Sequence, residues 1–141
     1  MMGNEQVRGL HVAGMEIGAH TVNHPILAAI DDGLAFDEIN SGRNTLQALI
    51  QAPVTTLAYP NGRPGRDYHR RHAEMARNMG FAAAVTTSPG ASRAGDDVFE
   101  LPRFTPWDRS PSRWLARLIS TSSPGAVASA EQPAAPPQAP G

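Results

Sequence analysis

The sequence of 141 residues contains no cysteine. Disulfide frameworks, thiolate zinc sites and cysteine nucleophiles are excluded together, so any transition metal must be held by imidazole and carboxylate. An excess of either charge is also missing, with 12 Lys and Arg against 13 Asp and Glu and a formal net charge of -1. Such a balance supplies neither a broad basic field for nucleic acid nor an acidic tail. Long apolar runs are absent, and the opening MMGNEQVRGLHVAGMEIG has neither a basic run before an apolar stretch nor a small-residue cleavage site. The expectation is therefore no signal peptide and no membrane span in the chain, with its compartment unassigned.

What is present suffices for one domain, because 40% of the residues are hydrophobic and the length allows a modest core. Asn4 to Ala13 reads as an amphipathic helix closed by Gly14, with Val7, Leu10 and His11 on one side. Met15 to Ala19 then reads as a buried strand entering the polar loop His20-Thr21-Val22-Asn23-His24-Pro25. Asp31 and Asp32 are placed to cap a helix from Leu34 to Gln51, with Leu46, Leu49 and Ile50 as its apolar stripe and Ser41-Gly42 as its weak point.

A second strand, Val54 to Tyr59, ends in the turn formers Pro60-Asn61-Gly62-Arg63-Pro64-Gly65. Asp67 is expected to cap a helix to Met79, followed by strands at Phe81 to Thr86 and Val98 to Leu101. Ser110 is placed to cap a last helix through Trp114 and Leu118. Strand and helix alternate, which predicts an α/β fold with parallel strands, as an open sheet or a barrel. Residues 121–141, rich in Pro and Ala with one charged residue, are expected to form a disordered tail outside a domain of residues 1–120.

The chemistry concentrates in two loops that follow strands, where sites commonly lie. His20 and His24 are four residues apart, a spacing at which two imidazoles in a loop can converge on one cation. Pattern alone leaves open that both merely bond to backbone. The run Gly18-Ala19-His20-Thr21-Val22-Asn23-His24-Pro25, preceded by Glu16-Ile17, matches H-[ST]-x-x-H-P. This motif resembles that of the NodB-type polysaccharide deacetylases. Leu57-Ala58-Tyr59-Pro60-Asn61-Gly62 is similar to the same family's third motif, although Leu57 and Asn61 stand where many members carry Arg and Tyr.

The resemblance implies a distorted (β/α) barrel, of which this chain carries only part, without the first strand or strands. It also implies a metal-dependent hydrolase that removes N-acetyl groups from a polysaccharide. His20 and His24 become ligands of a divalent metal, most often zinc. Tyr59 and Pro60 would line the substrate groove, and the backbone N–H of Asn61 would donate to the oxyanion.

In the family, Thr-Phe-Asp-Asp-Gly ends a buried strand ahead of the His motif and supplies the base and a third ligand. Here Asp31-Asp32-Gly33 follows His24 by seven residues and comes after Leu27-Ala28-Ala29-Ile30. Helix capping accounts for that pair. The base and the third ligand are therefore expected to be missing, and turnover to be impaired. No Leu-x-His motif follows Thr105, and His69 and His72 read as residues of a solvated helix face. Two alternatives stand beside this reading: a non-catalytic carbohydrate- or metal-binding relative, and a small α/β domain unrelated to sugars.

Overall fold

In the computed structural model, residues 2–104 and 110–122 are described. Helix α1 (Asn4–Val12) buries no residue completely and lays Val7 against the core. Gly14, with φ of 87°, turns the chain so that the Met15 N–H donates back to the Leu10 carbonyl. This turn occupies residues expected to begin a strand. Met15 and Glu16 are exposed, and only Ala19 bridges to a neighbour, Leu57.

A 3-10 turn at Leu27–Ala29 leads into helix α2 (Asp32–Ile50), and the Asp31 carboxylate caps it by accepting the Leu34 N–H at 3.0 Å. A cap of this kind is worth about 1 kcal/mol. Ala35, Ile39, Gly42 and Ile50 form the buried stripe of α2, and Gln51 closes the helix in the left-handed region. Arg43 ties this helix to the sheet. Its guanidinium donates to the Val54 and Met79 carbonyls at 2.9 and 2.6 Å and lies over the Phe81 ring.

The sheet is parallel throughout. Strand β1 (Thr56–Ala58) pairs with β2 (Ala83–Val85) in the register Leu57 to Ala84, Ala19 bridges to the other side of β1, and Leu101 bridges to the far side of β2. Helices α2 and α3 (Arg70–Asn78) make the crossovers that parallel neighbours require. The strands are shorter than expected. At the Leu101 edge the reason is Asp97, whose side chain and carbonyl take the N–H groups of Phe99 and Glu100, leaving Val98 exposed. On the outer side of the Ala19 segment no strand pairs among the described residues.

Two expectations about α3 need correction. The helix starts at Arg70, because the buried Asp67 is engaged in the preceding turn, where its carboxylate accepts the Arg63 N–H at 3.0 Å. The cap comes instead from His72, whose Nδ1 accepts the His69 N–H at 3.0 Å. That bond turns His72 inward, so it is fully buried, while His69 is half-buried. The described part of the chain ends with α4 (Pro111–Ser122), two residues past the boundary expected at 120. The tail from residue 123 lies outside the described residues.

Candidate active site

Parallel strands place their carboxyl ends on one side, and both loops singled out in the sequence leave from that side. His20 follows Ala19 directly. Its Nδ1 lies 2.7 Å from the Ala58 carbonyl oxygen on the adjacent strand. A carbonyl only accepts, so Nδ1 carries the proton and the lone pair is left on Nε2, the atom a metal would take. The His24 ring stands edge-on to the His20 ring, with centroids 4.7 Å apart. Both side chains are exposed to solvent.

The loop that brings the rings together is strained and firmly held. Thr21 and His24 have φ of 60° and 56°, in a region that costs an L-residue about 1–2 kcal/mol. The Thr21 hydroxyl offsets part of this by bonding to the His20 carbonyl and accepting the His24 N–H at 3.1 Å. Helix α2 holds the rest. Glu38 Oε2 accepts the N–H groups of Val22 and Asn23 at 2.9 and 2.8 Å, and Oε1 accepts the Asn23 carboxamide at 2.6 Å. The bonds from Asn23 are the main reason the Glu38 carboxyl is held below the ordinary carboxylate value. One turn further along α2, a Cβ on Gly42 would sit 2.7 Å from the Thr21 carbonyl oxygen, so only glycine lets the loop reach the helix.

Glu38 was not singled out in the sequence, and Gly42 was read there only as part of a weak point of the helix. They share a face by their i, i+4 spacing. That is a weak signal in a helix with several polar positions.

The second loop is built from backbone. Asn61 and Gly62 have φ of 56° and 72°, and the Gly62 N–H turns back onto the Pro60 carbonyl at 2.6 Å. From beyond β2, Thr87 clamps this turn, with its N–H on the Gly62 carbonyl at 2.9 Å and its hydroxyl on the Asn61 carbonyl. The Asn61 N–H has no acceptor among the described residues, and the residue is exposed.

Tyr59 and Pro60, expected to line a groove, are fully buried. The Tyr59 ring stacks on Tyr68 at 4.0 Å and its hydroxyl donates to the Phe99 carbonyl at 2.9 Å. The alternation of a strand turns it toward the core, where it anchors the turn that carries Asn61.

Neutral imidazole nitrogens suit a divalent first-row ion, and a catalytic zinc normally takes three protein ligands. The pair fits as part of such a site. Among the described residues no group of three His, Cys, Asp or Glu is placed to hold a metal. Asp31 is occupied as the α2 cap, and Asp32 pairs with Arg71 at 2.7 Å. Neither joins the imidazoles.

The sequence profile described as "Polysaccharide deacetylase" matches residues 2–84, more than half of the chain. The chain belongs to the polysaccharide deacetylase family. The Bacillus subtilis protein named "Putative polysaccharide deacetylase YxkH" is 25% identical over 99 residues, covering 70% of this chain and 34% of that protein.

Among solved structures, the Streptococcus pyogenes deacetylase PplD, in complex with acetate, superposes with a TM-score of 0.73 at 24% identity, covering 87% of this chain and 51% of that one. IcaB from Ammonifex degensii gives a TM-score of 0.64 at 20% identity, covering 85% and 52%. These structural likenesses show the fold. The described residues correspond to part of a NodB-type deacetylase barrel, and the chain spans about a third to a half of the length of these relatives.

Proposed function

We propose that the site of this polysaccharide deacetylase relative serves metal-dependent removal of N-acetyl groups from a polysaccharide, with His20 and His24 holding a divalent cation, zinc by preference. The observation that carries the reading is the His20 tautomer: the Ala58 carbonyl fixes the proton on Nδ1, leaving Nε2 as a ready ligand beside the His24 ring. A bound ion of this kind would supply Lewis-acid polarisation of the acetyl carbonyl and acidification of a water. The protein's own part is to orient the two imidazoles and to offer the free Asn61 N–H to the oxygen that becomes anionic. PplD, one of the proteins with this fold, was solved with acetate, the product such a reaction releases.

The same reading makes the chain, taken alone, a poor catalyst. Two imidazoles lack the carboxylate that adds charge compensation and a third anchor. Without a positioned base, a further hundred-fold to ten-thousand-fold, roughly, is lost.

The test is acetate release from N-acetylglucosamine oligomers with added zinc, run beside zinc-binding titrations, on the chain and on His20→Ala. Weak zinc binding that disappears in His20→Ala, with little or no acetate, is expected. Zinc binding unchanged by that substitution would remove the metal assignment. Robust acetate release abolished by it would overturn the impairment.

A further inference from the structure

We propose that Glu38 is a positioning residue of this site: its carboxylate, acting from α2, sets the loop that brings His20 and His24 together. The inference rests on the reading of those two histidines as a metal pair. Glu38 itself is not a ligand, because both its oxygens are turned to the loop. Oε2 takes two backbone N–H groups and Oε1 takes the Asn23 carboxamide. The three donors belong to Val22 and Asn23, the residues directly before His24.

This placement matters because the loop does not hold itself. Thr21 and His24 both sit at positive φ, and the bonds within the loop run only through the Thr21 hydroxyl. Water would satisfy the Val22 and Asn23 N–H groups equally well if the loop swung away from α2. Only an acceptor fixed to the helix ties their satisfaction to one loop position, and hence to one position of the His24 ring. Gly42 lets the loop approach, while Glu38 holds it there.

The chemistry predicts an unequal response to two substitutions. Glu38→Ala removes every acceptor while favouring the helix, since alanine has the best helix propensity. Glu38→Gln keeps one oxygen for the two backbone N–H groups, and its amide can donate to Asn23 once that carboxamide flips. Hydrogen exchange by NMR on the intact chain, with zinc alone as the titrant, separates the cases. Expected for Glu38→Ala is at least a tenfold loss of protection at the Val22 and Asn23 amides, a weakened contact between the His20 and His24 rings, and at least tenfold weaker zinc binding. The amides of Leu57 and Ala84 should stay protected. Glu38→Gln should restore most of the loop protection and most of the zinc affinity.

Unchanged Val22 and Asn23 exchange in Glu38→Ala overturns the proposal, as does a Glu38→Gln variant as impaired as Glu38→Ala. If the unsubstituted chain takes no zinc at His20 and His24, the metal reading fails, and the exchange measurements still decide the part played by Glu38.

Discussion

His20 and His72 use their rings in opposite ways. His20 is exposed, donates through Nδ1 to Ala58 and keeps Nε2 bare. His72 is buried and accepts through Nδ1 from the His69 N–H, so its proton sits on Nε2, which has no hydrogen-bond partner among the described residues and lies 3.8 Å from Asp32. Burial, followed by the Arg71 charge, lowers the His72 pKa from its ordinary 6.5, against the opposing pull of Asp32. The folded state thus binds fewer protons than the unfolded chain just below that value. Stability from His72 is full above about pH 6.5 and is lost as the pH falls through the lowered folded value. His72→Gln keeps an acceptor for the His69 N–H, as glutamine does at this helix position, and cannot titrate. Thermal melts from pH 7.5 to 5 should therefore show a smaller fall in Tm for His72→Gln than for the unsubstituted chain. Equal falls would show that His72 does not carry the effect. The inward turn of His72 was not legible in the sequence, because neighbouring Arg70, Arg71 and Glu74 mark the helix as solvated. The bond that turns it joins a side chain to the backbone three residues back.

Helix α2 shows how local propensity and tertiary contact can disagree. Ser41-Gly42 reads as the weak point of the helix, and alanine at 42 would add about 1 kcal/mol by propensity alone. The close approach of the Thr21 carbonyl reverses that. The atoms in the way all belong to the Thr21 backbone and no flexible side chain can yield, so Gly42→Ala should destabilise the chain by about 1–3 kcal/mol, read as a lower urea midpoint. A higher midpoint would mean that the loop moves aside freely. Elements whose signals are local were legible: the Asp31 cap, the α2 extent to within two residues, and the order of strands and crossovers. The length of the strand expected at Val98 to Leu101 and the α3 start were not, because Asp97 and Asp67 spend their carboxylates on nearby backbone N–H groups in turns, where an extended run or a helix cap was expected.

Across the whole molecule, four parallel segments bring two loops from distant stretches of sequence to one side of the sheet. The pairing of His20 and His24 was legible because both histidines lie in a single loop. The free N–H of Asn61 came from the family resemblance, and the clamp by Thr87, which depends on β1 and β2 being neighbours, was not legible. The same arrangement leaves the outer flank of the segment that ends at Ala19 without a strand partner among the described residues. Close to it along the chain come Met15, Val22 and Ile26, exposed at 58, 55 and 41%. An unpaired edge with apolar neighbours is a template on which a second copy can lay its own strand. Sedimentation at rising concentration should reveal reversible self-association, and Met15→Lys, a gatekeeping charge at that flank, should weaken it. Association that ignores the lysine would locate the contact elsewhere. The exposed flank runs straight into His20, so a chain docking there would crowd the histidine loop and make the zinc uptake proposed for it depend on protein concentration.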